Sequence, residues 1–436
     1  MDATSAQAQP VTFSQRVEQI RTGFERPFWV ANISELFERL SYYAAFASLA
    51  RYLNESLGFS VSTASSLSGL FGFVWFLAIF GGAVADRLGF RRALSLAYLI
   101  LSVAYFSLGS VNAPWLSGIR AHVPLTPLVA VLIMLPAFGV ALVKPSVVGT
   151  TARASKENVR SIGFAIYYTL VNIGGAAGPY VASYVHQHMT VENVFRIAAL
   201  SVLLMFVGVL IFFKEPRRTG EVQIVSVGQA ARNFATVLRN GRFVLFLLIF
   251  SGYWIAYWQE FIILPTYIAK YIDPKADTEL LLITGPLVVI SLTIVFNVLM
   301  QRMAAFRAVV LGAFISGAAW LLLALHPSVP MAVLTLIVVA IGEITQSPRY
   351  YDYISRLAPS GQQGTYMGFA FLPIGIGSLV GGPIGGALMH HYGEVTKQPT
   401  HVWFALAAIG VGTAVLLLIY DKVVLGDASA ADGASV

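Results

Sequence analysis

Four residues within one short run carry chemistry that needs an account. Glu35, Glu38, Arg39 and Tyr42 stand in the segment SELFERLSYYAAF. At about 100° per residue, positions i, i+3, i+4 and i+7 share one face of a helix. The segment lies in a stretch long enough to cross a bilayer. Two acids and an arginine at that depth are costly unless they pair or face water. Arg39 can neutralise one carboxylate at a time. Protonating the other frees or recaptures the guanidinium, and that exchange can couple a proton to a conformational change. The bland alternative is an ion cluster that only holds this helix against its neighbours; intramembrane ionisable groups are functional by default.

Other charges stand alone in apolar runs. Lys144 lies within 125–149 and needs a partner, for which Glu35 or Glu38 suits by charge. Glu343 lies within 330–354, with Gln346, Ser347 and Tyr350 expected on its face. Glu260 follows Tyr253 and Tyr257 on one face of 243–270, with Trp254 and Trp258 beside them. Any one of these aromatics is ordinary packing or an interfacial belt. Arg349 and Asp352 read as an i, i+3 ion pair. No metal site is expected: the histidines at 186, 188, 390 and 391 read as exposed residues at span ends. No cofactor is expected either. The glycines at 375 and 377 follow no strand, so they are not a nucleotide loop. The chain has no cysteine, which removes thiolate chemistry and disulfides. No HExxH, nucleophile elbow or paired-aspartate motif occurs, so an enzyme is not expected.

The elements that position these residues are membrane helices. Of 436 residues, 57% are hydrophobic and 11% charged, against roughly 25% charged in soluble domains. Mean hydropathy is +0.73. In lipid every backbone polar group must be satisfied within the structure, and long continuous apolar runs make helices the solution. Twelve spans are expected: 28–53, 62–85, 92–111, 125–149, 160–185, 194–213, 243–270, 279–301, 307–325, 330–354, 364–390 and 401–420. Residues 1–27 read as a polar cytoplasmic lead-in and 421–436 as a cytoplasmic tail. Residues 214–242 read as a linker between a six-helix bundle at 28–213 and another at 243–420. Part of it, about 227–238, can form an amphipathic surface helix.

The net charge of +7 sits in short loops, as positive-inside topology requires, and is not read as a nucleic-acid surface. Only Arg51, Arg120, Arg196, Lys270, Lys275 and Lys397 fall at outer ends. Both termini are therefore expected in the cytoplasm, and the chain in the cytoplasmic (inner) membrane of the cell, as a monomer in the bilayer. The halves echo each other. GFAIYYTLVNIGGAAGP from Gly163 matches GFAFLPIGIGSLVGGP from Gly368, and DRLGFRR from Asp86 matches QRMAAFR from Gln301. Twinned halves place a solute site at their interface near the midplane.

Between spans 2 and 3 lie Gly82, Asp86, Arg87, Gly89, Arg91 and Arg92. Gly89 suits a tight turn, and Asp86 can sit against a helix end or an arginine and hold the inner side shut. This loop resembles the signature of the major facilitator superfamily. The segment ELFERLSYY resembles the first-helix signature of proton-dependent oligopeptide transporters. Three other stretches are similar to that family in order and spacing: Lys144-Pro145-Ser146; Tyr167-Tyr168 with Asn172 and Gly174; and Gly342-Glu343 with Ser347-Pro348, Leu357-Ala358-Pro359 and Met367-Gly368.

The resemblance implies an all-α polytopic membrane protein of the major facilitator fold. It implies proton-driven import of short peptides or a similar small zwitterionic solute. Glu35, Glu38, Arg39 and Lys144 would couple protons. Arg39 and Lys144 would meet a substrate carboxylate and Glu343 its amine, with Tyr42, Tyr168, Asn172, Glu260, Asn297 and Gln346 around the solute. The chain departs from that family where a second arginine usually pairs with an acid on span 7. That position is Phe46, so Glu260 lacks its expected partner and has another role, such as proton carriage. Phe46 and the aromatics of span 7 also suit an alternative, an exporter or antiporter of a less polar molecule. A transport-inactive sensor is a further class, which saturable uptake would eliminate.

Overall fold

The computed structural model describes residues 18, 22–216, 227–358 and 363–425. Most of the lead-in, part of the linker, Pro359 and the residues after 425 lie outside them. The described residues are almost entirely helical. Helix α1 spans Arg26–Arg51, and Pro27 sits in its first turn, where a missing N–H costs nothing. The next span is broken into α2, Val61–Gly69, a 3₁₀ turn, and α3, Val74–Leu88. Then follow α4, Phe90–Leu108; α5, Leu125–Arg153; α6, Arg160–His188; and α7, Glu192–Phe212. A short helix, Ser117–His122, precedes α5 and had no counterpart in the twelve-span reading.

Helix α8, Val227–Leu238, comes before the second set. That set is α9, Gly241–Tyr257; α10, Thr284–Met300; α11, Ala305–Leu325; α12, Val329–Leu357; α13, Gln363–Phe369, with α14, Leu372–Leu388; and α15, His401–Tyr420. Helix α9 continues in short turns to Ile272, interrupted near Pro265. Among the described residues nine helices are long and apolar enough to cross a membrane. The pair Val61–Leu77 and Phe80–Leu88, bent by 58°, supplies a tenth span. Helices α1 and α6, of 26 and 29 residues, are as long but carry polar side chains, and they bring the long segments to twelve.

The first set packs on itself, with α1 against α6 and α7, and α5 against α3 and α4. In the second set α11 lies between α12 and α15, and α9 packs on α14 and α15. Between lipid-bathed helices, association rests on close packing and polar contacts rather than on expelling water. Glycine supplies the closeness. A methyl at Gly178 would stand 2.6 Å from the Leu40 carbonyl oxygen and 2.8 Å from the Ala44 nitrogen, so α6 lies directly on the α1 backbone. In the second half Gly377 and Gly381 lie against the α9 backbone at Trp254 and Ile255, and Gly385 lies against the side chains of Gln259 and Ile263.

The halves meet along α2 and α14. Ser378 Oγ donates to the Gly69 carbonyl at 3.0 Å, and a methyl at Gly382 would stand 2.6 Å from the Ser65 carbonyl oxygen. On the face where α1 ends, Arg51 reaches Glu279 at 3.2 Å, and His186 Nδ1 lies 3.0 Å from the same carboxylate. Ser183 and Gln187 donate to Asp277 at 2.5 and 2.6 Å. This end of the interface is therefore closed by backbone contact and by charge.

Because the neighbour of Gly178 is backbone and cannot swing away, overpacking there costs about 1–3 kcal/mol. Gly178→Leu is expected to lower the melting temperature of the detergent-solubilised protein. Gly208→Leu, where nothing lies within 4 Å of an added Cβ, is expected to leave it unchanged.

Candidate functional site

A cavity of about 270 Å³ opens between the halves. From the first half it is lined by Tyr43 on α1, Trp75 on α3, Lys144 on α5, and Tyr168 and Asn172 on α6. From the second half come Trp254, Tyr257, Trp258 and Glu260 around the end of α9, Glu343, Ser347 and Tyr351 on α12, and Phe371 and Ile374 on the other side. Lys144 follows helically from its span, one residue before a proline that leaves the helix continuous. Its ammonium lies 5.8 Å from the centre of the Trp75 ring, and among the described residues no carboxylate lies within 4 Å of it. Glu343 faces it from the opposite half and accepts a hydrogen bond from Tyr257 Oη at 2.9 Å.

Behind the first-half wall sits the span-1 cluster. Arg39 binds Glu38 through two parallel bonds of 2.5 and 2.7 Å, the guanidinium 3% exposed and the carboxylate fully enclosed. Such a bidentate pair is strong and fixed in direction. Glu35 is also fully buried. Its Oε1 receives Tyr167 Oη at 3.5 Å, and its Oε2 has no hydrogen-bond partner. The charges of Arg39, Glu38 and Lys144 all act on Glu35. The three ionisable groups that share a helical face therefore do form one cluster. One acid holds the arginine and the other keeps an oxygen open.

The structure does not bring every expected residue to the cavity. Lys144, Tyr168, Asn172, Glu260 and Glu343 line it. Glu35, Glu38 and Arg39 lie behind the wall. Tyr42 is a correction: its ring stacks 4.8 Å from the Arg39 guanidinium and 4.8 Å from Phe71, inside the first half. Gln346 is another. It faces α11, where Gly312 leaves room for it, and is buried. The cavity face of α12 runs instead through residues 340, 343, 347 and 351, at steps of three and four, so the i+3 neighbour of Glu343 turns away. Tyr350 likewise leaves that face and stacks on Phe250 at 4.6 Å. Asn297, near the end of α10, is outside the cavity.

The loop motif lies apart from the cavity. Gly89 adopts φ +80° between α3 and α4, a conformation that favours glycine. Asp86 pairs with Arg153 at the end of α5, at 3.3 Å, and the Arg153 guanidinium covers Phe90 at 4.4 Å. Arg87, Arg91 and Arg92 line a groove with Glu215, and Gly82 sits beside Pro145. Glu215 accepts from the backbone N–H groups of Phe90 and Arg91, both at 2.8 Å, and so caps α4. Sequence reasoning passed over Glu215, since an acid far along the chain gives no local sign of capping. It also missed Tyr43, Trp75, Tyr351 and Phe371. Aromatics are common in such helices, and only the interface shows which of them face the solute path.

Phe46 has a definite place. It is 1% exposed and stacks on Phe71 at 4.8 Å and on Phe261 at 4.9 Å, with Trp258 edge-on at 5.4 Å. An aromatic stack across the halves thus forms around Phe46, as the absence of an arginine there allows, and no cation lies within 4 Å of Glu260 among the described residues.

Comparison with known proteins agrees on the fold. The family model described as Major Facilitator Superfamily matches residues 32–372 and 274–433. The multidrug resistance protein MdtH of Citrobacter koseri is 23% identical over 341 residues, covering 77% of this chain and 79% of its own. MdtH of Klebsiella pneumoniae is 23% identical over 340 residues, with the same coverage. Among solved structures, a POT family transporter in complex with 5-aminolevulinic acid superposes with a TM-score of 0.75. The two are 18% identical, over 91% of this chain and 96% of that one. The nucleoside transporter NupG superposes at 0.73 with 13% identity, over 90% of this chain and 99% of its own.

Removing one member of a buried ion pair costs about 3–5 kcal/mol, because the other charge is left uncompensated. Arg39→Leu is therefore expected to unfold in detergent well before the wild type. The double variant Glu38→Gln/Arg39→Leu, which removes both charges of the pair, is expected to recover part of the loss. Thermal unfolding followed by light scattering and circular dichroism reads both.

Proposed function

The chain belongs to the major facilitator superfamily of membrane transporters, and on that premise we propose that it is a proton-coupled symporter importing short peptides or a similar small zwitterionic solute. The observation that carries this reading is the opposed charge across the cavity. Lys144 stands on one half and Glu343 on the other, with the Glu35–Glu38–Arg39 cluster behind the lysine. A zwitterion that bridges the halves satisfies both charges at once, and it does so only when the halves are close. Binding energy then favours the occluded state over either open one, which is what alternating access requires.

In this proposal Glu35 takes the proton. Its open oxygen adjoins a cluster in which Arg39 is already committed to Glu38. A proton on Glu35 removes one negative charge beside Lys144 and leaves the lysine free for a substrate carboxylate. Loss of that proton gives Lys144 and Arg39 a second carboxylate, which competes with the substrate and favours its release. The termini are placed in the cytoplasm and the closed Arg51–Glu279 face outside, from the distribution of lysine and arginine.

A second reading has its own observation. Nine of the twenty residues lining the cavity are aromatic, and the multidrug relatives cover three quarters of the chain. An exporter or antiporter of a less polar molecule would use the same acids for proton exchange.

Purified protein in liposomes, with an inward proton gradient, separates the two. Gradient-driven uptake of radiolabelled alanyl-alanine is expected in wild type and at least tenfold lower in Glu35→Gln and Glu38→Gln, with peptide exchange retained in Glu35→Gln. Uptake is expected to rise as the external pH falls. Absence of peptide uptake by a folded protein, together with gradient-driven movement of a lipophilic dye, would replace the import reading with the second.

A further inference from the structure

One charge in the cavity is left over. Lys144 faces a substrate carboxylate and Glu343 a substrate amine, but Glu260 also lines the same space, 6% exposed. Among the described residues no cation lies within 4 Å of Glu260 or Glu343. Arg39 cannot reach them, since Glu38 holds it in two bonds behind the wall. Phe46, stacked on Phe261, fills the place from which a span-1 side chain could have approached. Tyr257, one turn before Glu260, donates its hydroxyl to Glu343 at 2.9 Å, and a neutral phenol supplies no countercharge to either acid.

Before solute enters, the lining therefore holds two acids and one base. A zwitterion with no net charge would match Lys144 and one acid, and the other acid, without a countercharge in a poorly solvated site, would have to hold a proton. A solute with a second cation would match all three. The walls beside Glu260 favour a cation too. The rings of Trp254, Tyr257 and Trp258 lie 5.0–6.0 Å apart in the same part of the cavity, and indole and phenol faces attract ammonium and guanidinium groups.

We propose that Glu260 and Glu343 form a paired acidic subsite that takes two cationic groups of one solute. The cavity then selects molecules of net charge +1 or more, such as a dipeptide with a lysine or arginine side chain, over neutral ones. The peptide form of this inference rests on the reading given under Proposed function; the acidic subsite itself does not.

Binding to purified protein, followed by quenching of intrinsic tryptophan fluorescence, tests it with four probes: alanyl-alanine, lysyl-alanine, glutamyl-alanine and 1,5-diaminopentane. Lysyl-alanine is expected to bind about tenfold more tightly than alanyl-alanine, the gain of one charge-assisted hydrogen bond. Glutamyl-alanine is expected to bind more weakly than either. Glu260→Gln is expected to bring lysyl-alanine and alanyl-alanine to about equal affinity, abolishing the lysine preference, and to weaken the diamine. Measurable and equal binding of lysyl-alanine and alanyl-alanine by the wild type overturns the proposal, whatever the variant does. So does a preference that survives in folded Glu260→Gln. If Glu260→Gln does not fold, Glu260→Asp with the same probes takes its place, with a reduced lysine preference expected and an unchanged one counting against the subsite. Diamine binding that depends on Glu260, with no peptide bound, would keep the acidic subsite and remove the peptide reading. Peptide binding without a lysine preference would do the reverse.

Discussion

The pairing of Arg39 with Glu38 is the contact on which the first half depends. A guanidinium in the middle of a membrane helix must have its charge met locally, and here one carboxylate meets it in two bonds. The rest of α1 is arranged around that pair. Gly174 on α6 leaves room for the Arg39 side chain: a methyl there would stand 2.9 Å from its Cβ. Tyr42 covers the guanidinium from one side. Asn32 and Thr151 tie α1 to α5 at 3.1 Å, and Tyr98 on α4 donates to Ser34 at 2.8 Å. Packing on α6 encloses the ion pair, and separate contacts earlier on α1 tie that helix to α4 and α5. With Arg39 occupied, Lys144 is left to face the cavity.

Glycines of the matching helices serve different ends in the two halves. In the first half Gly174 and Gly178 seat α6 on α1. In the second Gly377 and Gly381 seat α14 on α9, while Gly382, which aligns with Gly178, and Gly386 turn α14 toward α2 of the other half. One helix therefore packs within its own bundle on one face and closes the interface with the other. Small residues suit this double duty because they let two backbones approach without choosing a side-chain geometry. At this interface the contact is largely backbone and serine hydroxyl, which can part and re-form without breaking an interlocked core.

Charge is divided unevenly between the halves. The first holds the arginine, the lysine and two acids, and the second presents acids alone to the cavity. Across the interface, where two opposite charges could have met, Phe46, Phe71 and Phe261 stack instead. Beside the cavity, aromatic stacking joins the halves where no salt bridge does, and it leaves the acids of the second half to a solute. The consequence is electrostatic: the cavity wall is charged on both sides but balanced on neither.

Much of this was legible in the chain itself. Run length and apolarity determine the spans, because a bilayer demands about twenty residues of self-satisfied helix. The i, i+3, i+4 spacing determines that Glu35, Glu38 and Arg39 share a face. Lys144, Glu260 and Glu343 stand out because charge in an apolar run is rare. What the spacing could not decide is which neighbour each side chain meets. Spacing alone favours Glu35, four residues before Arg39, as its partner, yet the arginine is held by the adjacent Glu38, while Glu35 receives Tyr167 from α6. Gln346 sits three residues from Glu343, a spacing that predicts a shared face. The close approach of α11 at Gly312 determines that it turns inward, while Ser347 and Tyr351 turn to the cavity. Helical periodicity is a property of one segment and can be read from it. The direction in which a face points is a relation between segments distant along the chain, and that is settled only when they pack.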